Sequence, residues 1–253
     1  RELAKLRTRM CEDNLYEFCQ QAWHIVEPTT PFVGGWHLRA ITEHLEAVTN
    51  GDIRRLIINI PPRHMKSLSV GVFWFCWSWI HHPSSRWLYS SYSHYLSTRD
   101  NMKARAVLES DWYQRQWGDK VRLRQDANTA GRFENTVTGF RMATGVGGSA
   151  TGEGGDFIIV DDPHKAADVY SDTQRQKTLM WWDNTMSTRL NDPKTGRFVV
   201  VMQRLHEQDL AGWLLSQSRD YDLLCIPAQY DPEHPYQRVT SIGWEDPRSL
   251  VLP

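Results

Sequence analysis

A lysine and a serine stand side by side at Lys66 and Ser67, just after an apolar run and two prolines in "LIINIPPRHMKSLSV", residues 56–70. A strand, a tight loop, a Lys-Ser pair and a helix are the parts of a phosphate-binding loop. Backbone N–H groups and the helix N-terminus face the phosphate, the lysine offsets its charge, and the hydroxyl reaches Mg2+. Both glycines of G-x-x-x-x-G-K-[ST] are missing, with Ile60 and Met65 in their places. The ligands themselves are backbone, lysine and serine, and proline fixes φ where a glycine would have supplied freedom. Taken alone, the stretch is read equally as an incidental proline turn followed by a lysine.

Two adjacent acids supply the complementary chemistry. In "DFIIVDDPH", residues 156–164, an apolar run ends in Asp161 and Asp162. At a strand end, Asp161 suits a water-mediated hold on Mg2+, and Asp162 suits polarising the water that attacks a γ-phosphate. The plainer reading is a strand closing in an Asp-Asp-Pro turn. A third run, "VVVMQRLHEQDLAGWLL" (199–215), ends in Gln203, Arg204 and His206. Gln203 beside a γ-phosphate would report hydrolysis; otherwise this is a solvated strand end with Asp209 capping a helix. Lys66, Asp161 and Gln203 all fall at the C-terminal ends of expected strands, the rim where open α/β sheets bind ligands. The combination points to a nucleotide.

The elements that must position these residues follow from hydrophobic spacing. Residues 1–26, free of Gly and Pro, read as an N-terminal helical arm, broken by "PTTPFVGGW". A helix over 36–49 carries Leu38, Ile41, Leu45 and Val48 on one face. Strands are expected at 56–60, 87–91, 157–161, 198–202 and 221–226. Helices are expected at 67–80, 95–109, 171–190 and 207–218. Residues 120–150 read as one or two hairpins. Strands alternating with helices predict βαβ units and a mostly parallel sheet. The tail after Pro227, rich in Pro, Asp and Glu, reads as a linker. The division expected is 1–50 arm and adenine-side segment, 51–230 core, 231–253 tail.

The 253 residues have a net charge of −1, so no overall basic field marks a nucleic-acid partner. The run "VGVFWFCWSWI" is shorter than the roughly 20 residues a bilayer span takes. The four cysteines lack metal-ligand spacing and read as reduced core residues. Most of the twelve tryptophans are expected in the core or an interface.

Three segments, "PFVGGWHLRAITEHLEAVTNGDIRRLIINIPPRHMKS", "TGEGGDFIIVDDPHKAADVYSD" and "VVVMQRLHEQDLAGWLL", together resemble the ATPase domain of tailed-phage large terminase subunits, in order and over roughly residues 15–230. Terminases of this type often have P-P-R-x-G-K-S, from which Met65 alone departs. The resemblance implies an α/β P-loop NTPase of the additional-strand, RecA-like type that binds ATP and Mg2+. It implies that Lys66 and Ser67 hold phosphate and Mg2+, and that Asp161 is the metal-associated acid. Asp162 stands where most relatives outside this branch have a catalytic glutamate, one methylene longer. Gln203 would belong to the coupling motif. Trp36 and His37 would contact adenine, and the loop residues Pro62, Arg63, His64 and Met65 would lie against the nucleotide, Arg63 reaching the γ-phosphate. Relatives commonly read T-G-R before the acid strand, where this chain has Glu153; Arg141 is the expected substitute for a transition-state arginine, with Arg204 and Arg132 as alternatives.

The implied function is ATP hydrolysis that packages double-stranded DNA into a procapsid. The implied partners are a portal protein, a small terminase subunit and further copies of the chain in a pentameric ring, in the host cell cytoplasm and away from membranes. The nuclease domain that large terminases carry is expected to be absent from this chain, and with it nuclease activity. Two other functions stay open: a superfamily 2-like helicase or translocase, and a nucleotide-binding scaffold that does not hydrolyse. For DNA, the basic clusters Arg99–Lys103–Arg105 and Arg122–Arg124 are candidates, against a merely solvated helix face.

Overall fold

Along each central strand, successive side chains enter opposite buried faces, and the sequence supplies apolar residues to both. This is the requirement of a parallel sheet covered by helices on two sides. The computed structural model describes residues 2–148, 152–217, 220–236 and 239–250. Its eight strands are β1 (Arg55–Asn59), β2 (Trp87–Ser91), β3 (Leu123–Asn128), β4 (Arg132–Asn135), β5 (Phe140–Gly145), β6 (Phe157–Asp161), β7 (Arg197–Met202) and β8 (Asp222–Cys225). They form one sheet in the order β3-β4-β5-β2-β6-β7-β1-β8. Every pairing from β5 to β8 is parallel, and only the β3–β4 and β4–β5 pairings are antiparallel. The strand β7 therefore lies between the lysine strand β1 and the acid strand β6.

The helices are α1 (Glu2–Asp13), α2 (Leu15–Val26), α3 (Trp36–Asn50), α4 (Lys66–Leu68), α5 (Trp74–His81), α6 (His94–Glu109), α7 (Asp111–Trp117), α8 (Asp172–Asn184) and α9 (Leu210–Ser216). Leu56, Ile58, Tyr89, Ile159 and Val199 pack with α2, α3, α5 and α6, whereas Ile57, Leu88, Ile158 and Val200 pack with α8 and α9. Eight of the twelve tryptophans are buried: Trp23, Trp74, Trp77, Trp79, Trp87, Trp117, Trp181 and Trp182. All four cysteines are buried and free. Among the described residues no helix is long and apolar enough to cross a membrane.

Several expectations are corrected. The N-terminal arm is two helices, because Asn14 takes extended backbone and its side chain accepts the Glu17 N–H at 2.9 Å, capping α2. The helix after the loop is not regular: a π-helical segment, Ser69–Phe73, joins α4 to α5. The helix expected to reach residue 190 stops at Asn184, and a short 3-10 turn, Met186–Thr188, follows. The expected hairpins appear as β3–β4–β5, with α7 an additional helix before them. Ser149, Ala150 and Ser218, expected at the ends of a hairpin and of a helix, lie outside the described residues.

The tail is not a linker over its described part. Thr240 is buried and its hydroxyl lies 2.9 Å from His44 Nε2 on α3. Trp244 packs against the core, and Arg248 donates to the Pro227 carbonyl at 2.9 Å. A few well-placed anchors fasten a segment whose bulk composition is that of a solvated one.

Candidate nucleotide site

The loop between β1 and α4 takes the shape its missing glycines would have eased. Arg63 and Met65 have φ of 66° and 60°, in the left-handed region that glycine enters without strain. Met65 stands immediately before Lys66 and is the residue the chain tolerates where a glycine was expected. Met65→Gly should relieve about 1 kcal/mol of backbone strain and keep or tighten ADP binding in a calorimetric titration. A large loss of affinity would show that the loop holds phosphate in some other way.

Lys66 is buried and turned toward the acids at the end of β6. It forms a salt bridge with Asp162 Oδ2 and lies 4.0 Å from Asp161 Oδ1. Asp162 takes a left-handed φ of 42°, which aspartate tolerates better than most residues, and its other carboxylate oxygen accepts the Gln203 N–H at 3.0 Å. Lys66, Asp162 and Gln203 are thus joined across three adjacent strand ends.

Asp161 is buried, and burial pushes its carboxyl up to about 6. Lys66 and the Ser67 hydroxyl pull it down, while Asp162 and Asp100 push it up. Its Oδ1 is buried with no hydrogen-bond partner. An orphaned carboxylate oxygen beside a serine hydroxyl is a fitting place for a hard cation that prefers oxygen and keeps some of its own waters. Among the described residues no three His, Cys, Asp or Glu side chains gather into a metal cage.

A cavity of about 540 Å³ opens beside the loop, lined by Asn59, Pro61, Pro62, Gln203, His206 and Tyr236 among others, a size in the range of small-ligand pockets. At the start of α3, His37 meets His64 of the loop edge-on, ring centroids 5.4 Å apart. Burial and the neighbouring His64 push the His37 imidazole down. Trp36 is partly exposed, near-parallel to Trp244 at 6.4 Å, with the Arg248 guanidinium 4.9 Å from its ring centre. The expected adenine-side residues and the loop thus share one neighbourhood, with Trp244 and Arg248 of the tail added to it.

Behind the acids, His164 is buried and its Nε2 accepts the Leu210 N–H at 2.9 Å, tying the segment after β6 to α9. Burial pushes this imidazole down to about 4; Asp209 opposes the shift, and Arg175 and His206 add to it. The folded value lies below the ordinary one near 6.5, so the neutral ring's stabilisation is complete above that pH. It is lost as pH falls from there towards 4, by about 3 kcal/mol. Urea unfolding across this window should fall more steeply for the wild type than for His164→Gln.

The arginine expected to stabilise transition-state charge is corrected. Arg141 is 1% exposed, with its guanidinium 4.6 Å from the ring centres of both Phe75 and Tyr89. It pairs in register with Trp87, the first residue of β2, at the sheet end opposite the acids, and a group enclosed in the core cannot be offered to a neighbouring subunit. The alternatives are engaged as well. Arg132 pairs with Glu134 at 2.6 Å and with Glu153 at 3.6 Å. Arg204 pairs with Asp209, the buried N-cap of α9, at 3.1 Å. Arg63 is exposed on the loop.

The basic clusters are largely neutralised. Arg99 pairs with Asp100, Lys103 with Glu27, Arg105 with Glu109, and Arg124 with Asp126 and Glu134. Sequence reasoning missed Tyr89 and Asp100, which adjoin Asp161 from β2 and α6. The one signal was an aromatic hydroxyl in a strand otherwise ready for complete burial.

No protein-family model matches the sequence, and no curated protein matches it. Among solved structures, the large terminase of bacteriophage HK97 overlays 90% of this chain and 46% of its own, with a TM-score of 0.56 and 11% identity. The large terminase of a thermophilic bacteriophage, solved in complex with ATP-gamma-S, matches over 82% of this chain and 44% of its own, with a TM-score of 0.42 and 9% identity. A mutant ATPase domain of the Thermus phage P74-26 large terminase matches over 71% and 68%, with a TM-score of 0.38 and 12% identity. This chain, spanning less than half the length of the HK97 protein, shares the fold of the part it overlays: a mostly parallel sheet with one strand, β7, between the lysine strand and the acid strand.

Proposed function

We propose that this chain is a Mg2+-dependent ATPase, the motor domain of a bacteriophage large terminase, which drives double-stranded DNA into a procapsid in the host cell cytoplasm. The observation that carries the proposal is the convergence of Lys66, Asp161, Asp162 and the Gln203 backbone at three adjacent strand ends. The fold shared with the HK97 large terminase supports the motor context.

In this reading a γ-phosphate competes with Asp162 for Lys66. Once Lys66 turns to the phosphate, Asp162 is free to accept a proton from the attacking water, in line with the bond that breaks. Ser67 and, through water, Asp161 would hold Mg2+, which when bound neutralises charge on the β- and γ-phosphate oxygens. Gln203, anchored to Asp162 through its backbone, passes the release of Asp162 to β7. With Arg141 enclosed in the core, the transition-state arginine is Arg63 or one supplied by another copy in a ring on the portal.

The Lys66–Asp162 salt bridge also fits a second reading, a nucleotide-binding scaffold held inactive. Phosphate release measured alone, and then with portal protein and double-stranded DNA, separates the two. A motor accelerates when both are added. A scaffold releases no phosphate under any of these conditions.

A further inference from the structure

The Tyr89 hydroxyl sits between two carboxylates. It lies 2.9 Å from Asp161 Oδ2 and 3.1 Å from Asp100 Oδ2, and all three residues are buried. A phenol has one proton to donate, so it serves one carboxylate at a time. Asp100 is already engaged through its other oxygen, Oδ1, by the Arg99 side chain at 2.8 and 2.9 Å. Asp161 receives no such clamp: its Oδ1 has no hydrogen-bond partner, and Lys66 stays 4.0 Å away.

The approach of this hydroxyl has been given room. Gly71 lies in the π-helical segment that follows Lys66 and Ser67, and a Cβ there would fall 2.5 Å from Tyr89 Oη. No other residue type leaves the hydroxyl where it is. The π-helical segment and the bare glycine together let a side chain from β2 pass behind the loop's helix and reach the acid at the end of β6. The Arg141 guanidinium also packs on the ring, 4.6 Å from its centre.

We infer that Tyr89 is a positioning residue for the proposed Mg2+ site: its hydroxyl, left to Asp161 because Arg99 already serves Asp100, fixes the Asp161 carboxylate through Oδ2 so that the free Oδ1 is presented toward Ser67 and the cation. This inference rests on the proposed nucleotide site, and the following measurement keeps the two apart. ADP affinity is titrated by calorimetry with Mg2+ and with EDTA, for the wild type, Tyr89→Phe and Asp100→Asn.

In the wild type Mg2+ should tighten ADP binding. Tyr89→Phe keeps the ring against Arg141 and removes only the hydroxyl. It should bind ADP in EDTA as the wild type does, yet lose most of the Mg2+ gain, by about tenfold, the scale of an outer-shell partner of a metal ligand. Asp100→Asn presents an amide N–H to the Tyr89 oxygen, which directs the phenol's proton to Asp161. It should keep the Mg2+ gain in full, so a general loosening of this buried cluster would betray itself by weakening both variants. An equal Mg2+ gain in Tyr89→Phe and the wild type overturns the inference, as does equal loss in both variants. Absence of ADP binding by the wild type overturns the nucleotide site itself.

Discussion

Lys66→Ala should slow ATP hydrolysis by about 10²–10³-fold and also weaken the fold before any nucleotide is added. Lys66 is 6% exposed and is the one cation between Asp161 and Asp162 among the described ion pairs at this rim. Removing one member of a buried ion pair leaves the other uncompensated, a loss of about 3 kcal/mol at the low end for such changes. Asp162 is partly exposed, which keeps the figure from rising further. For catalysis, loss of a charged group aimed at a developing phosphoryl charge lowers the rate by about 10²–10³-fold, as for a lost oxyanion donor. Urea denaturation and steady-state phosphate release check the two effects separately. A purely structural lysine would show the first and leave nucleotide binding untouched.

Trp87→Ala should be the most damaging single truncation in the core. Trp87 is 1% exposed and lies flat on Phe157 across the β2–β6 pair, centroids 4.2 Å apart and planes at 5°. Its edge meets Trp74 at 4.7 Å, and its indole N–H donates to the Ser85 hydroxyl at 2.9 Å. Truncation removes the ring's burial and opens a cavity, together about 3–5 kcal/mol. The register that pairs Trp87 with Phe157 also pairs Ser91 with Asp161, so slippage here reaches the acid strand's end. Equilibrium unfolding measures the loss. A change below about 1 kcal/mol would mean that β2 and β6 are not locked by this stack.

The strands at the site were legible because each is a short apolar run that ends abruptly in polar residues, and a buried parallel strand leaves little other option. The loop was legible despite its missing glycines, because Lys66 and Ser67 keep their spacing from β1; the structure shows Met65 bearing the left-handed conformation that glycine would have eased. Arg141 was not legible. The sequence offered it as a transition-state arginine, and its enclosure depends on Phe75 and Tyr89 arriving from α5 and β2. The tail misled for the same reason: its charge and prolines are local, whereas its attachment through Thr240, Trp244 and Arg248 is made with residues far away in the chain. Local pattern encodes elements and strand ends; the partners of isolated polar side chains are set by the assembled sheet.

Asp162 is proposed to alternate between holding Lys66 and serving the attacking water. Asp162→Asn keeps an acceptor for the Gln203 N–H and removes the charge that competes for Lys66. Its MgATP affinity and its rate of phosphate release, measured side by side with the wild type, should therefore move in opposite directions: tighter binding, and hydrolysis slower by about 10²-fold or more, the scale of a lost general base. Hydrolysis at the wild-type rate would mean that Asp162 does not serve the attacking water.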